Sequence, residues 1–140
     1  MKTLLITSTL LISLALSNSC IGDDHHDDWR GSTIWVSTWP IQCLGNPWEQ
    51  DWIDSHGGDP ADYPADPNTA GLDPEEIEII KDYYQAQDIT ILDVKDADAG
   101  VEVCTACSCP AGYILYLKVY AADVGRMEEL GYKRDMPSYK

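Results

Sequence analysis

Phenylalanine is absent from this 140-residue chain, histidine occurs three times, and only 9 Lys and Arg stand against 24 Asp and Glu. Each scarcity excludes something. A formal charge of -15 repels phosphate backbones and anionic lipid head groups, so nucleic-acid binding is excluded. The three histidines, His25, His26 and His56, belong to no HExxH motif, and neither a GxSxG nor a phosphate loop occurs. Asp54 and His56 are sequence neighbours, but in a Gly-rich stretch that gives acid–base chemistry poor support. No catalytic constellation is read here. The length accommodates one core and leaves no room for separate cofactor and substrate lobes. What the chain does have is 44% hydrophobic residues, with 8 Tyr and 5 Trp supplying amphipathic rings, which describes a folded domain rather than a disordered acidic tail.

A single Lys2 is followed by an apolar stretch to Leu16, the small polar run Ser17-Asn18-Ser19, and Cys20. The apolar run is too short for a stop-transfer helix and reads as a signal peptide over residues 1–19. This arrangement resembles the signal of bacterial lipoproteins, with Ser17 where that family usually carries Leu. The resemblance implies cleavage just before Cys20, acylation of its thiol and of the new amino group, and anchorage in the membrane. The competing reading is an ordinary secretory signal cut near Ser19. The lipoprotein reading is favoured because Cys20 falls where the small-residue box ends and an even number of cysteines remains behind it. Loss of residues 1–19 removes Lys2 and leaves 8 basic against 24 acidic side chains, a net charge of -16.

Residues 20–31 then form an acidic tether. Its Asp23-Asp24-His25-His26-Asp27-Asp28 run resembles the export tag that sends some lipoproteins to the outer face of the outer membrane, which implies a surface-exposed location. His25 and His26 are weak candidates for Zn, Cu or Ni because no rigid scaffold holds them.

The domain proper is expected over residues 32–135. Residues 32–39 are β-branched and aromatic and read as a strand, with Trp35, Ser37 and Trp39 on one side and Ile34, Val36 and Thr38 on the other. Gly45-Asn46-Pro47 is turn chemistry, and residues 48–53 follow as a short helical turn. From 54 to 71 the chain is rich in Gly, Pro and Asp and reads as a surface loop whose acids lack the order a calcium loop requires. Asp73-Pro74 then opens a helix over 74–87. Asp73 caps it, Glu76 is placed to complete a capping box, and Ile77, Ile80 and Tyr84 form its apolar stripe. Strands are expected at 89–94, 101–104 and 113–120, with a turn over 95–100. The last strand is apolar on both sides, which suits a central position. A short helix over 122–130 stops at Gly131, with Tyr132 placed against Met127. The fold class is therefore α+β: a helix packed on a three- to four-stranded, mainly antiparallel sheet.

Four cysteines lie behind Cys20: Cys43 alone, and Cys104, Cys107 and Cys109 in a C-x-x-C-x-C run. Outside the reducing cytosol they suggest two disulfides, with Cys43 tied to one member of the cluster; a loop of that length is worth about 4 kcal/mol. The alternative is a metal-handling protein in which Cys43, Cys104, Cys107 and Cys109 hold Zn or Cu as thiolates. Thioredoxin-like catalysis is disfavoured, because a Pro and a strand follow the CxxC instead of a helix. The C-x-x-C-x-C-P-x-G segment and the closing Glu-Leu-Gly-Tyr look similar to small cysteine-containing secreted or lipoprotein domains of bacteria, a resemblance that implies no transferable activity. The favoured function is a binding or structural module at the cell surface, anchored through Cys20 and without a cofactor. Trp35, Trp39, Trp48 and Trp52 offer a candidate platform, an exposed pair of which could stack on a protein or carbohydrate ligand, while core packing is the simpler account of most of them.

Overall fold

The computed structural model describes residues 31–64, 72–102 and 104–137. Seven elements follow one another: β1 (Thr33–Thr38), α1 (Pro47–Ser55), α2 (Pro74–Gln85), β2 (Ile91–Asp98), β3 (Tyr113–Tyr120), α3 (Val124–Glu129) and β4 (Lys133–Arg134). The strands form one antiparallel sheet in the order β2-β3-β1-β4. The α+β class is as the sequence implies, and β3 lies inside the sheet, as its two apolar sides require.

Helix α2 starts where its sequence says it should. The Asp73 carboxylate accepts the Glu75 N–H at 2.8 Å, and Pro74 occupies the first helical position, where its missing N–H costs nothing. Its end uses a device that the sequence hides. Asp88 takes a φ of +58°, its N–H donates to the Gln85 carbonyl at 3.0 Å, and the Ile89 N–H donates to the Tyr84 carbonyl at 3.0 Å. This is a Schellman closure made without glycine. Helix α3 closes in the same way around Gly131, at φ +93°, with Gly131 and Tyr132 donating to the Glu128 and Met127 carbonyls, both at 3.0 Å. A 3-10 turn, Ala121–Asp123, precedes α3, so the helix expected over 122–130 is split in two.

The core draws one alternate set from each inner strand. Val36 from β1 and Leu115, Leu117 and Val119 from β3 are completely buried, together with Ile80 of α2 and Met127 of α3. Burying each such side chain is worth about 1.5–3 kcal/mol against its exposed state. Val94, Tyr84, Trp48, Val124 and Tyr132 complete the cluster, and the Tyr84 and Tyr132 hydroxyls bond to each other at 2.6 Å inside it. All three helices therefore contribute to the same side of the sheet.

Two expectations are corrected. Residues 101 and 102 are not in a strand, and β2 runs on to Asp98 where a turn was expected. The reason is that β2 itself pairs with β3 as far as Asp98 opposite Tyr113, which leaves residues 101 and 102 beyond the end of that pairing. Past them the Cys104–Cys109 bond holds Cα atoms five residues apart at 5.8 Å, where extended chain would span roughly 17 Å, so no strand runs on from Cys104 to Cys109. The hairpin instead closes earlier, the Ala99 N–H donating to the Gly112 carbonyl at 3.0 Å. In the long acidic segment α1 reaches Ser55, and a 3-10 turn, Pro60–Asp62, is capped by Asp59, whose carboxylate accepts the Ala61 N–H at 2.9 Å.

Candidate functional site

The cysteines pair as Cys43–Cys107, 64 residues apart with Cα atoms 5.1 Å from each other, and Cys104–Cys109. Cys43 is thus tied to the cluster. Backbone bonds reinforce the staple: Gln42 N–H donates to the Cys109 carbonyl at 2.9 Å, and Ala111 N–H to the Pro40 carbonyl at 2.8 Å. The Gln42 side-chain amide adds bonds to the Cys104 and Pro110 carbonyls at 3.0 and 2.9 Å. Cys43 and Leu44 both sit in the left-handed region, at φ +59° and +57°, which non-glycine residues adopt only when the surroundings hold them there. Asn46 supplies part of that hold. Its side chain accepts the Ile41 N–H at 2.9 Å and donates to the Ile41 carbonyl at 3.0 Å.

The four candidate platform tryptophans do not share a surface, which corrects that expectation. Trp48 is 2% exposed within the core, because the face of α1 that meets α2 carries it inward. Trp52, on the same helix, is half-buried; its ring stacks on His56 with centroids 4.0 Å apart and meets Tyr63 edge-on at 5.5 Å. Trp35 and Trp39 lie on the side of the sheet away from the core. Cys20, His25 and His26 lie outside the described residues. Among the described residues, no group of three or more His, Cys, Asp or Glu is gathered as a metal site.

The outer sheet face can be read from the register, since directly paired residues project to the same side. Trp35 opposes Lys118, which opposes Asp93; Ser37 opposes Tyr116 on one side and Lys133 on the other; and Tyr116 opposes Lys95. The Lys95 and Lys118 ammonium groups stand 5.2 and 5.9 Å from the Trp35 ring centroid, within cation–π range. Tyr116, at the centre, is 3% exposed, and burial raises its hydroxyl pKa with help from Asp135. At the β1–β4 end, Trp39 is 45% exposed and borders a cleft of about 350 Å³ lined with Ser37, Gly131, Lys133, Arg134 and Asp135. Sequence reasoning could separate Trp35, Ser37 and Trp39 from Val36, but it had no way to add the lysines of three other strands.

A second arrangement was missed altogether. Glu49 and Glu76 are buried at 5% and 8% exposure between α1 and α2. Glu49 accepts the Asn46 N–H at 2.7 Å, closing the start of α1, and Glu76 accepts the Trp48 indole N–H at 3.2 Å, joining α1 to α2. Glu76 thus leaves the expected capping box for the indole. Loss of hydration pushes the Glu49 carboxyl up to about 7, the Asn46 bonds oppose the rise, and Glu76 adds repulsion; Glu76 is raised chiefly by the same burial. Tyr63 and Tyr113 are raised first by burial and then by these two carboxylates, and the buried Tyr63 hydroxyl has no hydrogen-bond partner. The Asn46-Pro47-Trp48-Glu49 order is an N-cap followed by Glu three residues later, a signal that was available in the sequence. Both carboxylates are spent on the protein's own donors: Glu49 closes the start of α1, and Glu76 ties α1 to α2.

Comparison with protein families, curated proteins and solved structures finds no match to this chain.

Proposed function

We propose that the protein is a cell-envelope lipoprotein, anchored through an acylated Cys20 and exposed at the outer membrane surface, whose stapled α+β domain is a binding module. The observation that carries the binding reading is the division of the sheet. Every helix contributes to one core, while the opposite face presents Trp35, Trp39, Lys95, Lys118 and Lys133 in a chain otherwise dominated by acids. An aromatic and polar surface on a rigid sheet suits recognition of an external protein or carbohydrate. Anchorage rests on the signal-like N-terminus and acidic tether; among the described residues no helix is long and apolar enough to cross a membrane. The metal-handling alternative needs four thiolates, and two disulfides leave none.

Two experiments test this reading. Metabolic labelling with a fatty acid should mark the full chain, and Cys20→Ala should lose both label and membrane retention; an unlabelled chain cleaved elsewhere refutes the anchor. Wild type and a Trp35→Ala/Trp39→Ala/Lys118→Ala variant should then be compared on glycan and peptide arrays. Binding that the variant loses supports the sheet face, and binding that survives places recognition elsewhere.

A further inference from the structure

We propose that the cleft between β1 and β4 takes a neutral sugar ring of a glycan, stacked on Trp39 with its hydroxyls held by Asp135 and Lys133. This rests on the reading of the outer sheet face as the binding surface, and it names the ligand class. Trp39 supplies an exposed aromatic face at the cleft, whereas the Trp35 ring is already engaged by Lys95 and Lys118. The C–H side of a pyranose is the apolar plane such a ring accepts. Beside it, Asp135 is held in place three times. Its N–H donates to the Trp35 carbonyl at 3.2 Å, and its carboxylate accepts the Ser37 hydroxyl at 3.3 Å and the Met136 N–H at 2.9 Å. A carboxylate has about four lone-pair sites, so acceptor capacity remains for ligand hydroxyls at a fixed point. Lys133 sits opposite Ser37 in the register and brings up to three donors to the same side. An aromatic plane, a fixed acceptor and a charged donor match a polyol with one C–H face and adjacent hydroxyls.

The alternatives fit less well. A polyanion meets a chain of net charge -15, and the cleft offers it no excess positive charge, because Lys133 is matched by Asp135 and Arg134 is bonded to Glu128 at 2.8 Å. A wholly apolar ligand would strip water from Asp135 and Lys133 without replacing their bonds. A peptide joining the sheet as an extra strand would need a long edge, and β4 has two residues. At about 350 Å³ the cleft is at the small end of the roughly 300–1,000 Å³ range of ligand sites, suited to one end or one unit of a chain.

The test uses the full chain in detergent and a panel of neutral gluco-, manno- and galacto-oligosaccharides, titrated by calorimetry and tryptophan fluorescence. At least one series should bind. Trp39→Ala should weaken it about tenfold or more, Trp39→Tyr should retain most of the affinity, and Asp135→Asn should weaken it, while Glu78→Gln, at an exposed site on α2 away from the cleft, changes little. Unchanged unfolding midpoints for these variants show that the fold is intact. No binding across the neutral panel, or uronate oligomers binding more tightly than neutral ones, overturns the assignment. Peptide binding abolished by Trp39→Ala would overturn the sugar while leaving the sheet-face reading standing. Sugar binding indifferent to Trp39→Ala overturns the cleft assignment, and sugar binding that also survives the Trp35→Ala/Trp39→Ala/Lys118→Ala variant sinks the sheet-face reading as well.

Discussion

Replacing Glu49 by Gln should make the protein more stable at pH 8 while leaving it nearly unchanged at pH 4. The carboxyl is 5% exposed and is raised from 4.5 to about 7, mainly by loss of hydration. Between those values the folded chain binds a proton that the unfolded chain has released, so stability falls as pH rises through this window. The contribution is fully present below the unfolded value and gone above about 7. A displacement of that size corresponds to roughly 3 kcal/mol, and water reaching the end of the helix reduces it to about 1–3 kcal/mol. Gln keeps an acceptor oxygen for the Asn46 N–H, which Glu49 now holds at 2.7 Å, and carries no charge to desolvate. Urea unfolding of wild type and variant, with disulfides intact, at several pH values from 4 to 8 measures the difference directly. It should grow with pH over the window and then level off. Glu78→Gln, at an exposed site on α2, serves as the control and should stay within about 0.5 kcal/mol throughout. A variant less stable than wild type at pH 8, or a difference that ignores pH, would refute the reasoning.

Non-reducing peptide mapping should recover Cys43 joined to Cys107 and Cys104 joined to Cys109; another pairing, or four free thiols, contradicts the staple. The chain-entropy argument gives a loss of about 4 kcal/mol for the Cys43→Ser/Cys107→Ser variant and about 2 kcal/mol for Cys104→Ser/Cys109→Ser, to be read from unfolding midpoints. Asp88→Gly should stabilise by about 0.5–1 kcal/mol, since residue 88 holds a φ of +58° that glycine adopts without penalty; a destabilised variant would show that the carboxylate matters more than the backbone. Tyr84→Phe leaves the buried Tyr132 hydroxyl without its 2.6 Å partner and should cost about 1–3 kcal/mol, and a neutral result would mean that water replaces it.

By itself the sequence determined what depends on local chemistry. Asp73-Pro74 specifies the start of α2 and Gly131 the end of α3, because a cap and a left-handed backbone are satisfied within a few residues. Alternation over residues 113–120 specified an interior strand, because burial on both sides is written in the side chains themselves. Tertiary structure decided everything that required knowing which distant residue stands opposite. Three pairings of four cysteines are equal in composition, and only the docking of residues 40–43 on residues 104–111 selects Cys107 for Cys43. Trp48 and Trp39 are the same residue type nine positions apart, yet one is sealed between helices and the other lies open on the sheet, because each goes where its own element packs. The local pattern placed Glu76 in a capping box and offered Asn46 and Glu49 as another, but neither announced burial. The loss of hydration that raises both carboxyls, and the Trp48–Glu76 bond, exist only where α1 meets α2, since hydration is removed there by neighbours distant in sequence.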